Sequence, residues 1–153
     1  MFQLVYMSQV TEMFTSKTID DILEKSKKNN LRLGITGMLI EKNGVFFQLL
    51  EGDKKNVLET YGRICNDLRH TLIRVLVTQE VEERIFPHWS MAFKGGDSIS
   101  QEQIEKMNQW RKLLGQTQNQ EIVSKSDLWL FFANIRYDLT EEKYFPENTL
   151  KTG

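Results

Sequence analysis

Polar and apolar residues alternate over positions 2–8, with Phe2, Leu4, Tyr6 and Ser8 on one face and Gln3, Val5 and Met7 on the other. That period of two predicts a strand. From about Thr18 the spacing changes. Ile19, Ile22, Leu23 and Ser26 recur at helical intervals, and Thr18-x-x-Asp21 resembles a capping box. The polar run Lys27-Lys28-Asn29-Asn30 predicts the end of this helix. Two β-rich runs follow, 34–40 and 45–50, on either side of Lys42-Asn43-Gly44; Asn-Gly between such runs is the strongest short hairpin signal. Glu51-Gly52-Asp53 leads into a second helix, whose core-facing stripe is expected to comprise Val57, Leu58, Tyr61, Ile64, Cys65 and Leu68. Further strands are expected over 73–78 and 89–93.

The resulting order, β-α-β-β-α-β with one extra strand, predicts an α+β fold: a ferredoxin-like sandwich with both helices on one face of a mostly antiparallel sheet. After Gly95-Gly96-Asp97 the pattern changes. Ser100-x-x-Gln103 reads as a capping box, and Ile104, Met107, Trp110 and Leu114 give a helical stripe. A polar loop over 116–125 and a second apolar helix over 127–137 follow, and the charged tail from Asp138 is expected to fray. The chain thus divides into residues 1–95 and a C-terminal helical extension, 96–153. The extension's Trp110, Trp129, Phe131 and Phe132 are expected to cover the sheet face that the first two helices leave open.

Composition narrows the function classes. Lys and Arg number 20 against 21 Asp and Glu, a formal charge of -1, so the basic footprint of a nucleic-acid binder is missing. A single cysteine, Cys65, excludes an internal disulfide and a multi-cysteine zinc site, and its place on the predicted stripe makes it a core residue. The first residues carry no basic segment ahead of an apolar one, and nearly apolar runs stay under about ten residues where a span needs ~20. A soluble, cytoplasmic chain with no membrane partner is the expectation.

Catalytic signatures are missing as well. His70 and His88 lie in no metal-ligand spacing, and neither a nucleophile elbow nor a P-loop occurs. More informative are polar groups planted in apolar strands. Gln48 shares a strand face with Phe46 and Leu50, and Tyr6 sits between Val5 and Met7. A buried amide or phenol left unpartnered costs about 1–3 kcal/mol, so each needs a partner. Taken alone, the simplest account is that Tyr6 and Gln48 bond each other or nearby backbone. Asn29 and Asn30 at a helix end commonly satisfy terminal carbonyls, and basic residues in Asp67-Leu68-Arg69-His70 suit a helix C-terminus without any ligand.

Together these segments resemble the BLUF family of flavin-using blue-light receptors. The resemblance runs through Leu4-Val5-Tyr6-Met7-Ser8, Asn29-Asn30, Gly34-Ile35-Thr36-Gly37-Met38-Leu39 and Gly44-Val45-Phe46-Phe47-Gln48-Leu49-Leu50-Glu51-Gly52. It continues with Tyr61-x-x-Ile64-x-x-Asp67-x-Arg69-His70 and Arg84-x-Phe86-x-x-Trp89-Ser90-Met91. It implies a non-covalent flavin between the two helices, FAD first, with FMN or riboflavin as alternatives. Asn30 would bond the ring's amide edge with Ser26 and Asn29 close by, and Ile22 and Ile64 would form apolar walls. Asp67, Arg69 and His70 would contact the ribityl and C2-carbonyl side, with Arg63 beside them. Tyr6 would be the photochemical donor of an electron and a proton, Gln48 the relay, and Ser8, Trp89 and Met91 the responsive shell. A new hydrogen bond to the flavin carbonyl would then give a small red shift.

The resemblance further implies a photosensor rather than an enzyme, signalling through the sheet and the C-terminal helices to a partner protein. The extension's aromatics would serve either as core or as a light-switched docking or oligomer surface. Two readings from other classes remain. A flavin-dependent oxidoreductase would be reduced by NAD(P)H with turnover, and a ligand-free ferredoxin-like interaction module would be colourless.

Overall fold

In the computed structural model, residues 1–95, 98–112, 123–141 and 150–151 are described. The strands are β1 (Phe2–Val10), β2 (Thr36–Lys42), β3 (Val45–Gly52), β4 (His70–Glu80), β5 (Trp89–Gly95) and a two-residue β6 (Leu150–Lys151). The helices are α1 (Ser16–Leu33), α2 (Lys54–Cys65), α3 (Gln101–Arg111) and α4 (Lys125–Glu141). The strand order is β4-β1-β3-β2-β5-β6, with β5 parallel to β2 and the other pairs antiparallel. The architecture is the ferredoxin-like α+β sandwich. The pairing of β6 with β5 has no counterpart in the expected element order.

Both sheet faces are covered, which explains why all eight residues of β3 are buried. One face presents Leu4, Tyr6, Leu39, Phe46, Leu50 and Met91 to Leu23 of α1 and Val57 of α2. The other presents Val5, Met7, Met38, Ile40, Phe47 and Leu49 to Met107 and Trp110 of α3 and to Leu128, Phe131, Phe132 and Ile135 of α4. Phe47 anchors this second core, its ring stacked on Trp110 at 5.1 Å and on Phe132 at 5.5 Å. Trp129 departs from expectation. It is 49% exposed, because α4 turns only one stripe inward and Trp129 follows Leu128 by about 100° around the axis.

Several boundaries also move. α1 starts earlier than expected, capped at Thr15, whose N–H donates to the Thr18 hydroxyl at 2.7 Å. It runs past the polar stretch to Leu33 and stops at Gly34, whose φ of 65° allows its N–H to turn back to the Asn30 and Leu31 carbonyls. Asn29 and Asn30 are therefore inside the helix. The hairpin turn uses positive φ at Asn43 and Gly44, as its sequence predicts. On β2, a side chain at Gly37 would overlap the Leu49 carbonyl, so only glycine admits that close β2–β3 approach.

α2 is capped by the Asp53 carboxylate, which accepts from the Lys55 and Asn56 N–H groups at 3.0 and 3.3 Å. Its inward face is narrower than expected. Val57 and Thr60 are buried, whereas Leu58 and Cys65 are exposed and Leu68, beyond the helix end, is 71% exposed. Cys65 is thus a surface residue and not part of the core. His70 belongs to the start of β4 rather than to the helix end. α3 begins as expected, with Ser100 and Gln103 closing a capping box. Leu114 of the expected stripe, most of the expected loop, and residues 142–149 and 152–153 of the tail lie outside the described residues. Within them, α4 continues to Glu141 without fraying at Asp138.

Candidate functional site

A cleft between α1, α2 and the sheet, partly open to solvent, encloses a cavity of about 220 Å³. α1 contributes Ile22, Ser26, Asn29 and Asn30 to it, successive turns of one helix face. From α2 and the segment after it come Arg63, Ile64, Asp67, Arg69 and His70, and the floor carries Tyr6 and Gln48. The structure brings together all the residues expected to hold a ligand. It adds Lys25 and Thr60 on the two helices and Leu39, Phe46 and Leu50 on the sheet. Helical spacing could have found the first two, since Lys25 lies one turn from Ile22 and from Asn29, and Thr60 one turn from Ile64. Phe46 and Leu50 are the same-face neighbours of Gln48.

Tyr6 and Gln48 meet because β1 and β3 pair in a register that sets them directly opposite each other. The Tyr6 hydroxyl donates to Gln48 Oε1. Gln48 Nε2 in turn points at Met91 Sδ, 3.4 Å away. The amide is therefore engaged on both sides, by the phenol and by β5. Asn30 ties α1 to β5 as well, through Nδ2 donating to the Ser90 carbonyl at 2.9 Å.

The other members of the expected shell lie elsewhere. Ser8 Oγ is 2.8 Å from His70 Nδ1. Trp89 lies in the opposite core, its ring at 6.2 Å from Phe86, so residues two apart in β5 serve different faces. The β5–β6 ladder is irregular between these two positions.

Electrostatics separate the floor from the rim. Burial pushes the Tyr6 phenol far above its ordinary range, reinforced by nearby Tyr61, Cys65 and Asp67. The phenol is therefore held in its neutral, hydrogen-bearing form, which the bond to Gln48 Oε1 uses. Tyr61, its ring 5.6 Å from Tyr6, is raised by burial and by its hydrogen bond with Cys65. At the rim, Arg69 Nε donates to both Asp67 oxygens at 2.9 and 3.1 Å, which holds the Asp67 carboxyl below its usual value.

The raised phenol has a consequence for stability. Above about pH 10 a tyrosine in the unfolded chain ionises while Tyr6 in the folded chain stays protonated. Its contribution is therefore complete below about pH 10 and falls as pH rises, by up to about 1.4 kcal/mol per pH unit. Urea denaturation at about pH 9 and about pH 11 should show a smaller loss for Tyr6→Phe than for the unaltered chain. Equal losses would contradict the burial of an un-ionised phenol.

The donor set fits a flavin ring. Amides at Gln48, Asn29 and Asn30 can both give and accept hydrogen bonds, as the imide-like edge of the ring requires, and Ile22 and Ile64 offer apolar contact from the two helices. Among the described residues no cluster of His, Cys, Asp and Glu could hold a metal ion, and no helix is long and apolar enough to cross a membrane.

Comparison with known proteins agrees. Residues 1–92 match the family model BLUF, sensors of blue-light using FAD. Over 89 residues the chain is 35% identical to the photoactivated adenylate cyclase subunit beta of Euglena gracilis, a match covering 58% of this chain and 10% of that protein. It is 32% identical over 83 residues to the blue light- and temperature-regulated antirepressor BluF of Escherichia coli (strain K12), covering 54% of this chain and 21% of that one. The matched segment therefore spans between a tenth and about a fifth of the length of these relatives. Among solved structures, the dark state of the BLUF protein BlrB is similar, with a TM-score of 0.74 and 27% identity over 90% of this chain and 96% of that one. The photo-activated state of BlsA gives 0.72 and 26%, over 88% and 94%.

Proposed function

The chain belongs to the BLUF family of blue-light sensors that use flavin, and on that premise we propose that Tyr6 and Gln48 form its photochemical relay and that its output is a protein–protein contact. The observation that carries this reading is the bond between the Tyr6 hydroxyl and Gln48 Oε1 on the floor of the cleft, with the far side of the same amide against Met91 Sδ. A bound flavin supplies a strong oxidant when it absorbs blue light. Tyr6 is the easily oxidised neighbour, and its proton has one receiver in place, Gln48 Oε1. An amide can take that proton at Oε1 and give one up from Nε2 to the ligand, and by tautomerising or rotating in this way it exchanges its donor and acceptor ends. The contact to Met91 must change with it.

FAD is the proposed ligand, with FMN and riboflavin able to use the same ring contacts. Lys25 and Arg63, which line the cleft from facing helices, favour a flavin that bears phosphate. Asn30 orients the ring edge, Ser26 and Asn29 support it, and Asp67 and Arg69 serve the ribityl side, with the His70 ring packed beside them while both its nitrogens are held by Ser8 and the Ile64 carbonyl.

From Met91, β5 continues to Lys94, whose ammonium is buried and 3.6 Å from Asp138 of α4. Asp138 also accepts from Gln103 Nε2 of α3 at 3.1 Å. One side-chain cluster thus joins the strand beside Gln48 to both C-terminal helices, which supports α3 and α4 as the output element for a downstream signalling protein or a second copy of the chain. The cyclase activity named in the Euglena relatives belongs to proteins of which the match covers 10%, and none is assigned to this domain.

Flavin uptake tests the binding half of this reading. The purified protein should be yellow or turn yellow on adding FAD, and Ile22→Trp, which fills the space between the helices, should reduce uptake at least tenfold. A colourless protein that takes up no flavin would overturn the proposal.

A further inference from the structure

Ser8 is fully buried on β1, and its hydroxyl reaches the start of β4. There it meets His70 Nδ1 at 2.8 Å, while His70 Nε2 lies 2.7 Å from the backbone carbonyl of Ile64 in the last turn of α2. A carbonyl oxygen can only accept, so Nε2 carries the hydrogen. In the neutral ring Nδ1 then offers a lone pair, and the Ser8 hydroxyl is the donor placed to fill it.

We propose that Ser8 is a positioning residue acting through His70: it fixes the imidazole as the Nε2–H tautomer, and the imidazole so held clamps the C-terminal turn of α2 at Ile64. Three further features support a built arrangement. The Ile64 carbonyl is one of the four that an α-helix leaves without an intrahelical partner, and the Asp67 N–H at 3.1 Å and the His70 ring satisfy it together. The rings of Tyr6 and Phe46 stand edge-on to the imidazole, each at 6.2 Å, and restrict its rotation. The strand carrying His70 is fastened across the same end of the sheet, where the Thr11 N–H donates to the Arg69 carbonyl at 2.9 Å.

The consequence concerns the cleft. Ile64 is one of its apolar walls and Ile22 the other. A clamp on the Ile64 backbone sets how closely α2 can approach α1, so Ser8 governs how tightly the space between them is held. For what that space contains, the inference rests on the flavin reading; the tautomer assignment does not. It also separates Ser8 from Met91: Met91 touches the relay amide, whereas Ser8 bears on the wall.

The test uses the full chain with imidazole-15N histidine, in the unaltered protein and in Ser8→Ala. The unaltered protein should show a protonated Nε2 and an unprotonated, hydrogen-bonded Nδ1 for His70. Ser8→Ala should lose that single-tautomer pattern. Flavin should leave Ser8→Ala about three- to tenfold faster, as expected for the loss of one buried hydrogen bond, while the light-induced red shift keeps its full size.

An Nδ1–H tautomer in the unaltered protein would overturn the proposal whether or not the variant folds. So would an unchanged His70 spectrum in Ser8→Ala. Loss of the red shift with His70 unchanged would assign Ser8 to the relay instead. A protein that binds no flavin would defeat the flavin reading, yet the nitrogen spectrum would still decide the tautomer.

Discussion

Gln48→Leu is expected to bind flavin and to lose essentially all of the light-induced red shift, and Tyr6→Phe is expected to do the same. The two substitutions cut one link from opposite ends. Leucine keeps the volume between Phe46 and Leu50 but removes the only side-chain acceptor that the described residues give the Tyr6 hydroxyl. Phenylalanine keeps the ring against Tyr61 and removes the proton. Each leaves a buried polar atom unpartnered, at about 1–3 kcal/mol, which the rest of a two-sided core can absorb. Illuminated and dark absorption spectra of the two variants decide the matter. A full-sized shift in either would remove Tyr6 or Gln48 from the relay.

The largest loss of stability is expected at a residue outside the cleft. Glu51 of β3 is fully buried, and its carboxylate accepts from the Ile85 N–H at 2.9 Å, the Phe86 N–H at 2.6 Å, Gln3 Nε2 at 2.9 Å and the Thr36 hydroxyl at 3.2 Å. Arg84 closes the same network by donating to the Thr36 hydroxyl, the Glu51 carbonyl and the Gly34 carbonyl. The segment that turns the chain into β5 thus hangs on one carboxylate. Glu51→Ala strands two backbone N–H groups in the interior, so a loss of about 3–5 kcal/mol is expected from urea denaturation. Much of that loss should appear as disorder ahead of Trp89 and Met91. A loss under about 1 kcal/mol would mean that water can replace the carboxylate.

Patterns of period two and 3.6 made the elements and their faces legible. The first strand's alternation already put Tyr6 with Leu4 and apart from Val5 and Met7, which is how the two cores divide them. The Asn43-Gly44 turn and the Ser100–Gln103 cap are local chemistry, and they stand as written in the sequence.

What escaped depends on contacts between distant segments. A run of Lys27, Lys28, Asn29 and Asn30 reads as a helix end, but Gly34 is the residue that can turn the chain, and the Ser90 carbonyl gives Asn30 a reason to be inside. The apolar character of Leu58, Cys65 and Leu68 suggested a wide stripe, whereas the sheet can meet only the face that Val57, Thr60 and Ile64 share. Residues 8 and 70 are joined across the sheet, and no spacing rule connects them. The opposite orientations of Trp89 and Met91 likewise follow from where β5 enters the sheet rather than from their spacing of two.

The central claim is that light rearranges the hydrogen bonds of Gln48 around an intact, non-covalently held flavin. The difference between absorption spectra of the purified protein in blue light and in the dark, followed through dark recovery, tests it most directly. A small red shift of the flavin band that reverses fully in the dark is the predicted result. Flavin-loaded protein whose spectrum does not change on illumination, or bleaches without recovering, would contradict the account.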